Sequence, residues 1–194
     1  GLNAYGNTKI VEEKKSRDHT ENILFKNRNA IKIINNKKKI IEIYGRRFLN
    51  SFNIEVPGDP SSAAFFTALT LLNEKSSLKI KNVGLNPTRV GFYRLLKKHG
   101  ANIKFINIRK HNQEIIGDIF VKSSKLRPIK ASKEYYVKST DEYPILFVIA
   151  ALSHGVSIFR GIADLVNKES NRIKEMQKIL LQIGIKSISK KSEL

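Results

Sequence analysis

Three segments of the chain combine a helix that has one apolar stripe with an alternating strand that follows it. They read ENILFKNRNAIKII, FYRLLKKHGANIKF and MQKILLQIGIKSI. In the second segment, apolar residues recur at helical spacing, His99 lies at the edge of their stripe, and Gly100 is placed to end the helix. The pattern therefore predicts three amphipathic helices, each followed by a strand.

Two further predicted helices are apolar on almost every face. They read SSAAFFTALTLL and YPILFVIAALSHG, and a helix without a polar face is expected to be buried. Each precedes a predicted strand, LKIKNVG or VSIFRGI, and then an amphipathic helix. NNKKK and KHNQE predict turns into the further strands IIEIYG and EIIGDIFVKS. This recurring order predicts an α/β fold built from repeats of roughly 60 to 80 residues.

The amino-acid composition excludes several kinds of functional site. The chain has no cysteine, which excludes disulfides, thiolate metal sites and a cysteine nucleophile. Its longest apolar runs are far shorter than the roughly 20 residues of a membrane span, and its opening GLNAYG lacks the pattern of a signal peptide. We therefore expect a cytoplasmic protein without a membrane partner. The first residue is Gly1, which indicates a piece of a longer protein.

The net charge of +19 raises nucleic acid as a partner. The lysines are scattered, however, and accompany abundant isoleucine and asparagine, as in an AT-rich coding bias. The dense basic runs NNKKKI and SKKSEL fall at a predicted turn and at the chain end. We interpret the charge as compositional and expect no specific nucleic-acid partner.

The stretch LVNKESNR is the first candidate for chemistry. If Lys168, Glu169 and Arg172 all lie in the first turn of the helix that follows, two cations share a face at the end where the helix dipole repels them. The simplest interpretation is a solvated face. The alternative is an anion site, because free N–H groups at a helix start also attract phosphate or carboxylate.

The starts of the two apolar helices offer carboxylates for the same site. Asp59 with its following serines, and Thr140 with Asp141, are suited to cap these helices, and capping is the simplest interpretation. Buried parallel helices place their N-termini together. Asp141 is therefore also a candidate for proton transfer beside desolvated cations.

Five motifs together resemble one enzyme family. In chain order the motifs are SRDHTE, PGDPSSAAFF, NVGLNPTRVGFYRLLKKHGA, TDEYPILFVIAALSHG and FRGIADLVNKESNRI. They occur in the order and spacing of 5-enolpyruvylshikimate-3-phosphate synthases, from about Gly1 to Ile185. The resemblance implies two domains, each of three βαβαββ units. It implies that 1–56 is the partial last unit of the lower domain and that 57–194 belongs to the upper domain.

The resemblance also implies a reaction. The carboxyvinyl group of phosphoenolpyruvate is transferred to the 5-hydroxyl of shikimate 3-phosphate, which releases phosphate, without a metal or an organic cofactor. The full-length enzyme is expected to be a monomer.

Residue by residue, the family's site carries over as expectations. The catalytic group is Asp141, Glu169 and Lys168, in which Asp141 is the favoured base for the 5-hydroxyl and Glu169 moves a proton at the methylene carbon of phosphoenolpyruvate. Shikimate 3-phosphate is expected to contact Arg17, Asp141, Asp164 and Lys168, and the phosphoenolpyruvate carboxylate Arg172. The chain departs from the family at Asn171, where aspartate is usual.

Several of the family's motifs are absent from this sequence, including its Asp-His-Arg motif. We therefore expect the chain alone to be inactive. Three alternatives stay open: the sister enzyme that acts on UDP-N-acetylglucosamine, a basic nucleic-acid-binding module, and a non-catalytic remnant. The missing cysteine, SRDHTE and KESNR weigh against the sister enzyme.

Overall fold

The computed structural model describes residues 1–13 and 16–190. Its first part is an antiparallel sheet with one helix. The elements are β1 (Asn7–Glu12), α1 (His19–Leu24), β2 (Ile31–Asn35) and β3 (Lys39–Tyr44), and the sheet order is β1-β3-β2. The predicted turn at NNKKK joins β2 to β3. Strand β1 was not predicted.

The second part contains one complete βαβαββ succession. Its elements are α2 (Pro60–Leu72), β4 (Ser77–Gly84), α3 (Gly91–Lys98), β5 (Asn102–His111) and β6 (Glu114–Lys122). Gly58 supplies the first extended position through a parallel bridge to Val83. The three full strands form an antiparallel sheet in the order β4-β6-β5. The predicted repeat order is therefore confirmed for this unit.

The third part begins the same succession again. It consists of β7 (Lys130–Ala131), α4 (Lys133–Val137), a 3-10 helix (Thr140–Glu142), α5 (Tyr143–Ala151), β8 (Ile158–Phe159), a second 3-10 helix (Ala163–Asn167) and α6 (Arg172–Gln182). Strands β7 and β8 pair in parallel. The short helix α4 was not predicted.

Local chemistry explains several of these boundaries. The Asp59 carboxylate accepts hydrogen bonds from the backbone N–H groups of Ser61 and Ser62, which caps α2 as predicted. The turn at KHNQE places Asn112 and Gln113 at φ of 45° and 67°, the left-handed conformation that a two-residue hairpin turn requires.

His99 is buried at the end of α3. Its Nε2 accepts a hydrogen bond from the Lys130 backbone N–H, so Nδ1 carries the proton and donates to the Leu95 carbonyl. This side chain, predicted to lie at the edge of the apolar stripe, therefore also joins α3 to β7.

The core lies between the second sheet and helices α2, α3, α5 and α6. The apolar stripes of α3 and α6 face it as predicted, and its largest buried side chains include Phe92, Tyr93, Leu96, Tyr143 and Phe147. The stripe predicted for α1 does not, because Ile23 is 38% exposed and the buried residue of that helix is Glu21. Among the residues that the structure describes, no helix is both long enough and apolar enough to span a membrane.

Two further predictions about these elements are wrong. Helix α2 is not buried on every side, because Phe65, Phe66 and Leu69 are each 60% exposed. No strand follows α6 in the described part of the chain, where residues 185–189 have no regular structure. A strand needs a neighbour to accept its hydrogen bonds, and apolar alternation alone does not supply one.

A polar hub joins α1 to the second sheet. The Glu114 carboxylate accepts hydrogen bonds from the side-chain amides of Asn22, at 2.9 Å, and Asn86, at 3.0 Å, and lies 2.8 Å from His19 Nδ1. The Asn86 amide also donates to Asp18. Burial raises the pKa of Glu114, but the hydrogen bonds from Asn22, Asn86 and His19 outweigh it and hold the pKa below its usual value.

We expect Glu114→Gln to lower the free energy of unfolding by about 1 to 3 kcal/mol at neutral pH, because it removes hydrogen bonds to a charged acceptor. The folded-state pKa is lowered, so this stabilisation is present above the ordinary glutamate pKa and is lost as the pH falls through the lowered value. The difference between wild type and variant should therefore shrink in urea unfolding below about pH 4. Exposed Glu134→Gln is the matched control, and a difference that does not change with pH would contradict the prediction.

Candidate active site

Asp141 lies where three separate parts of the chain meet. Arg17, from the segment before α1, donates from Nη2 to Asp141 Oδ2 at 2.8 Å. Arg172, in the first turn of α6, places Nη1 3.9 Å from the other carboxylate oxygen. The side chains of Arg17 and Asp141 are each about two fifths exposed, so the cluster is open to solvent on one side. Two guanidinium groups thus converge on one carboxylate from opposite ends of the sequence.

The predicted capping by Thr140 and Asp141 is wrong. A 3-10 helix precedes α5, and no side-chain hydrogen bond caps α5. The Thr140 hydroxyl instead donates to the Tyr136 carbonyl at 2.8 Å. Because the Asp141 carboxylate has no capping bond to make, it is free to face Arg17 and Arg172.

The stretch LVNKESNR also differs from its prediction. Helix α6 begins at Arg172, and Asn171 caps it by accepting from the Lys174 backbone N–H at 3.0 Å. Lys168 and Glu169 therefore lie ahead of the first turn. They do not share a helix face with Arg172, because the asparagine cap requires a non-helical backbone at position 171. The departure from the family at Asn171 thus keeps a residue that caps well.

The remaining predicted residues form two ion pairs, and Arg172 of the second pair also neighbours Asp141. Lys168 Nζ lies 2.8 Å from Asp164 Oδ2, an oxygen that also accepts a 2.8 Å hydrogen bond from the Tyr136 hydroxyl. Arg172 Nη2 lies 2.7 Å from Glu169 Oε2. Each predicted cation is therefore adjacent to a predicted carboxylate, and Arg172 links Glu169 to Asp141.

The carboxyl groups of Asp141, Asp164 and Glu169 all have lowered pKa values and are therefore ionised at neutral pH. The hydrogen bond from Arg17 is the main cause that lowers the pKa of Asp141, and the charges of Arg89 and Arg172 act in the same direction. The hydrogen bond from Lys168, followed by that from Tyr136, lowers the pKa of Asp164. A backbone hydrogen bond and the Arg172 guanidinium lower the pKa of Glu169. At neutral pH all three can accept protons.

Sequence reasoning assigned no role to Arg89 or to Tyr136. Arg89 belongs to the motif NVGLNPTRVGFYRLLKKHGA, and its guanidinium lies between Asp59 and Ser61 at the start of α2. Only the relation between that loop and α2 in three dimensions reveals the contact. Tyr136 is part of α4, an element that the apolar pattern did not predict.

The cluster combines cations that can hold anionic substrates with carboxylates that can move protons. Within residues 1–13 and 16–190, no three histidine or acidic side chains are grouped so that they could hold a metal ion. The chemistry that this arrangement supports is acid-base catalysis on anionic molecules.

Comparison with known proteins gives one consistent family. The model of the EPSP synthase family, described as 3-phosphoshikimate 1-carboxyvinyltransferase, matches residues 1–192. The 3-phosphoshikimate 1-carboxyvinyltransferase of Persephonella marina is 41% identical over 186 residues, which are 95% of this chain and 43% of that protein. That of Thermodesulfovibrio yellowstonii is 43% identical over 187 residues, 96% of this chain and 43% of its own length.

Solved structures agree with the sequence relatives. An EPSP synthase structure from Acinetobacter baumannii superposes with a TM-score of 0.86 at 36% identity, and the match covers 99% of this chain and 43% of that one. The predicted α/β fold is therefore confirmed, and it matches part of the fold of solved EPSP synthase structures. The chain spans about two fifths of the length of the curated relatives it matches. With a family model that matches nearly all of its residues, the chain belongs to the EPSP synthase family.

Proposed function

We propose that this chain supplies part of a 3-phosphoshikimate 1-carboxyvinyltransferase. The reaction transfers the carboxyvinyl group of phosphoenolpyruvate to the 5-hydroxyl of shikimate 3-phosphate and releases phosphate. One observation carries the proposal: Arg17 and Arg172, far apart in sequence, meet on the Asp141 carboxylate. A site of this kind suits two anionic substrates that must lie side by side.

In this proposal Arg17 binds the phosphate of shikimate 3-phosphate, and Lys168 and Asp164 contact the same substrate. A phosphate that binds Arg17 competes with Asp141 for the guanidinium, since Arg17 Nη2 donates to that carboxylate. When Asp141 is released from Arg17, the main cause of its lowered pKa is removed. The Asp141 carboxylate then becomes a stronger base for the 5-hydroxyl.

Arg172 binds the carboxylate of phosphoenolpyruvate, and Glu169 moves a proton at its methylene carbon. The Glu169 side chain is 81% exposed and that of Arg172 is 23% exposed, and because the two are paired, a ligand that reaches Glu169 lies next to Arg172. Neither a metal ion nor an organic cofactor takes part in the proposed reaction.

The proposal divides the chain into 1–56, the partial last unit of a lower domain, and 57–194, part of an upper domain. The segment between β3 and α2, from 45 to 59, contains no helix or full strand, which is typical of a connection between domains. The full-length enzyme is proposed to act as a monomer.

The function is tested in a synthase that carries this chain together with the segments its relatives have beyond it. We expect Arg17→Ala to weaken shikimate 3-phosphate binding about 10- to 150-fold, since a charge-assisted hydrogen bond contributes about 1.5 to 3 kcal/mol. Arg172→Ala should raise the KM for phosphoenolpyruvate by a similar factor. Calorimetry measures the first effect, and steady-state kinetics at saturating shikimate 3-phosphate measures the second.

Exposed Arg94→Ala in α3 is the control, with neither constant expected to change. Lysine should rescue positions 17 and 172 only partly, because an ammonium lacks the planar two-pronged grip of arginine. Equal losses for both ligands in both alanine variants would mean that the arginines stabilise the fold and do not bind separate substrates.

A further inference from the structure

A buried carboxyl group lies directly beside Asp141. Glu142 is 3% exposed, whereas the Asp141 side chain is 43% exposed, although both belong to the same 3-10 helix. Glu142 Oε1 accepts a 2.5 Å hydrogen bond from the Ser61 hydroxyl in the first turn of α2. Burial raises the pKa of Glu142. The helix that carries Asp141 is thus anchored to α2 through its other carboxyl group.

Arg89 contacts the same serine hydroxyl that donates to Glu142. Its Nη2 donates to the Ser61 hydroxyl oxygen at 2.7 Å and to Asp59 Oδ1 at 2.9 Å. The Asp59 carboxylate also caps α2, so the guanidinium is fixed on two groups of one helix start. The Arg89 side chain is 15% exposed. Arg89, Ser61 and Glu142 therefore form a continuous hydrogen-bonded series from the loop before α3 to the start of α5.

We propose that Arg89 is a positioning residue for Asp141, which it orients through Ser61 and Glu142. Arg89 is largely covered and its Nη2 donates to Asp59 and Ser61, so its action on Asp141 runs through these partners. The catalytic meaning of this role rests on the proposed function, since it is Asp141 that would act as the base. The structural role of Arg89 can be measured without any reaction.

Electrostatics supports the same assignment. The charged groups that act on Asp141 come from several elements: Arg17 from the segment before α1, Arg172 from α6, Arg89 from the loop before α3, and Glu142 from its own 3-10 helix. Arg17 lowers the pKa of Asp141 most, and Arg89 and Arg172 lower it further. Removing the charge of Arg89 therefore moves the pKa of Asp141 upward.

The first test uses this chain alone and follows the Asp141 carboxyl carbon by NMR during a pH titration. In Arg89→Gln we expect the midpoint to move to higher pH, and in Arg89→Lys to stay nearer wild type because the charge remains. Arg94→Gln, one turn along α3 on the exposed face, is the matched control and should leave the midpoint unchanged. An unchanged midpoint in folded Arg89→Gln would overturn the proposal.

Ser61→Ala tests the hydrogen-bonded series separately, because it keeps the charge of Arg89. The backbone amide signals of Thr140, Asp141 and Glu142 should shift, and their hydrogen exchange should become faster, with the second sheet unaffected. Ser62→Ala is its control, since that hydroxyl donates to Asp59 and not to Glu142. If both serine variants have the same effect at Asp141, the series does not orient it.

The last test uses the synthase that carries this chain. Arg89→Gln should lower kcat by up to about 10²-fold, the cost of a misplaced catalytic group, with smaller changes in both KM values. A base acts when ionised, so a raised pKa should also move the acidic limb of the kcat/KM profile to higher pH, and Arg89→Lys should restore it. A loss of activity with an unmoved limb would overturn the positioning role. If the synthase reaction itself is absent, the NMR titration still decides whether Arg89 acts on Asp141.

Discussion

Asp141→Ala is expected to lower kcat by about 10²- to 10⁴-fold in a synthase that carries this chain, the usual contribution of a general acid-base group. The carboxylate lies 2.8 Å from Arg17 and 3.9 Å from Arg172, the two proposed anion-binding residues. The 5-hydroxyl of a shikimate 3-phosphate bound beside phosphoenolpyruvate can therefore reach the Asp141 carboxylate. Its lowered pKa keeps it ionised at neutral pH. Steady-state kinetics with both substrates at saturation measures the effect.

Two further variants make the result specific. Asp141→Asn keeps the shape of the side chain but cannot accept the proton, so it should lose nearly as much activity as the alanine variant. Glu134→Ala removes an exposed carboxylate from α4 and should be close to wild type. An effect confined to KM in both Asp141 variants would mean that Asp141 binds substrate without moving a proton.

Phe147→Ala is expected to lower the free energy of unfolding by about 3 to 5 kcal/mol, because it removes a buried aromatic ring and leaves a cavity. Phe147 is 2% exposed, and its ring centre lies 5.0 Å from that of Phe159 and 5.9 Å from that of Tyr143. The ring therefore joins α5 to β8. Urea unfolding of this chain measures the loss.

Phe66→Ala is the matched control on the exposed face of α2, where the ring is 60% exposed. It should cost less than about 1 kcal/mol, since most surface substitutions have small effects. Equal losses at positions 66 and 147 would contradict the burial of Phe147 in the core.

Apolar periodicity predicted the helices and hairpins of the second part of the chain almost completely. The helical spacing of Phe92, Leu95 and Leu96 places them on one face of a helix, and that face is the one that is buried. The turn at KHNQE requires particular backbone conformations. Both features depend only on residues that are close together in the sequence. The same reasoning failed after α6 and on the exposed face of α2, because pairing and burial depend on which other segments are adjacent.

The sequence by itself determined the repeat, the family resemblance and the residue types of the candidate site. Only the tertiary structure decided where the charges point. Lys168 and Glu169 lie before the helix that they were predicted to begin. Asp141, predicted to cap a helix, instead pairs with Arg17, and Arg89 lies at the start of α2. Hydrogen bonds and ion pairs between segments depend on distances of a few ångströms between residues far apart in the chain, whereas hydrophobic periodicity depends only on near neighbours.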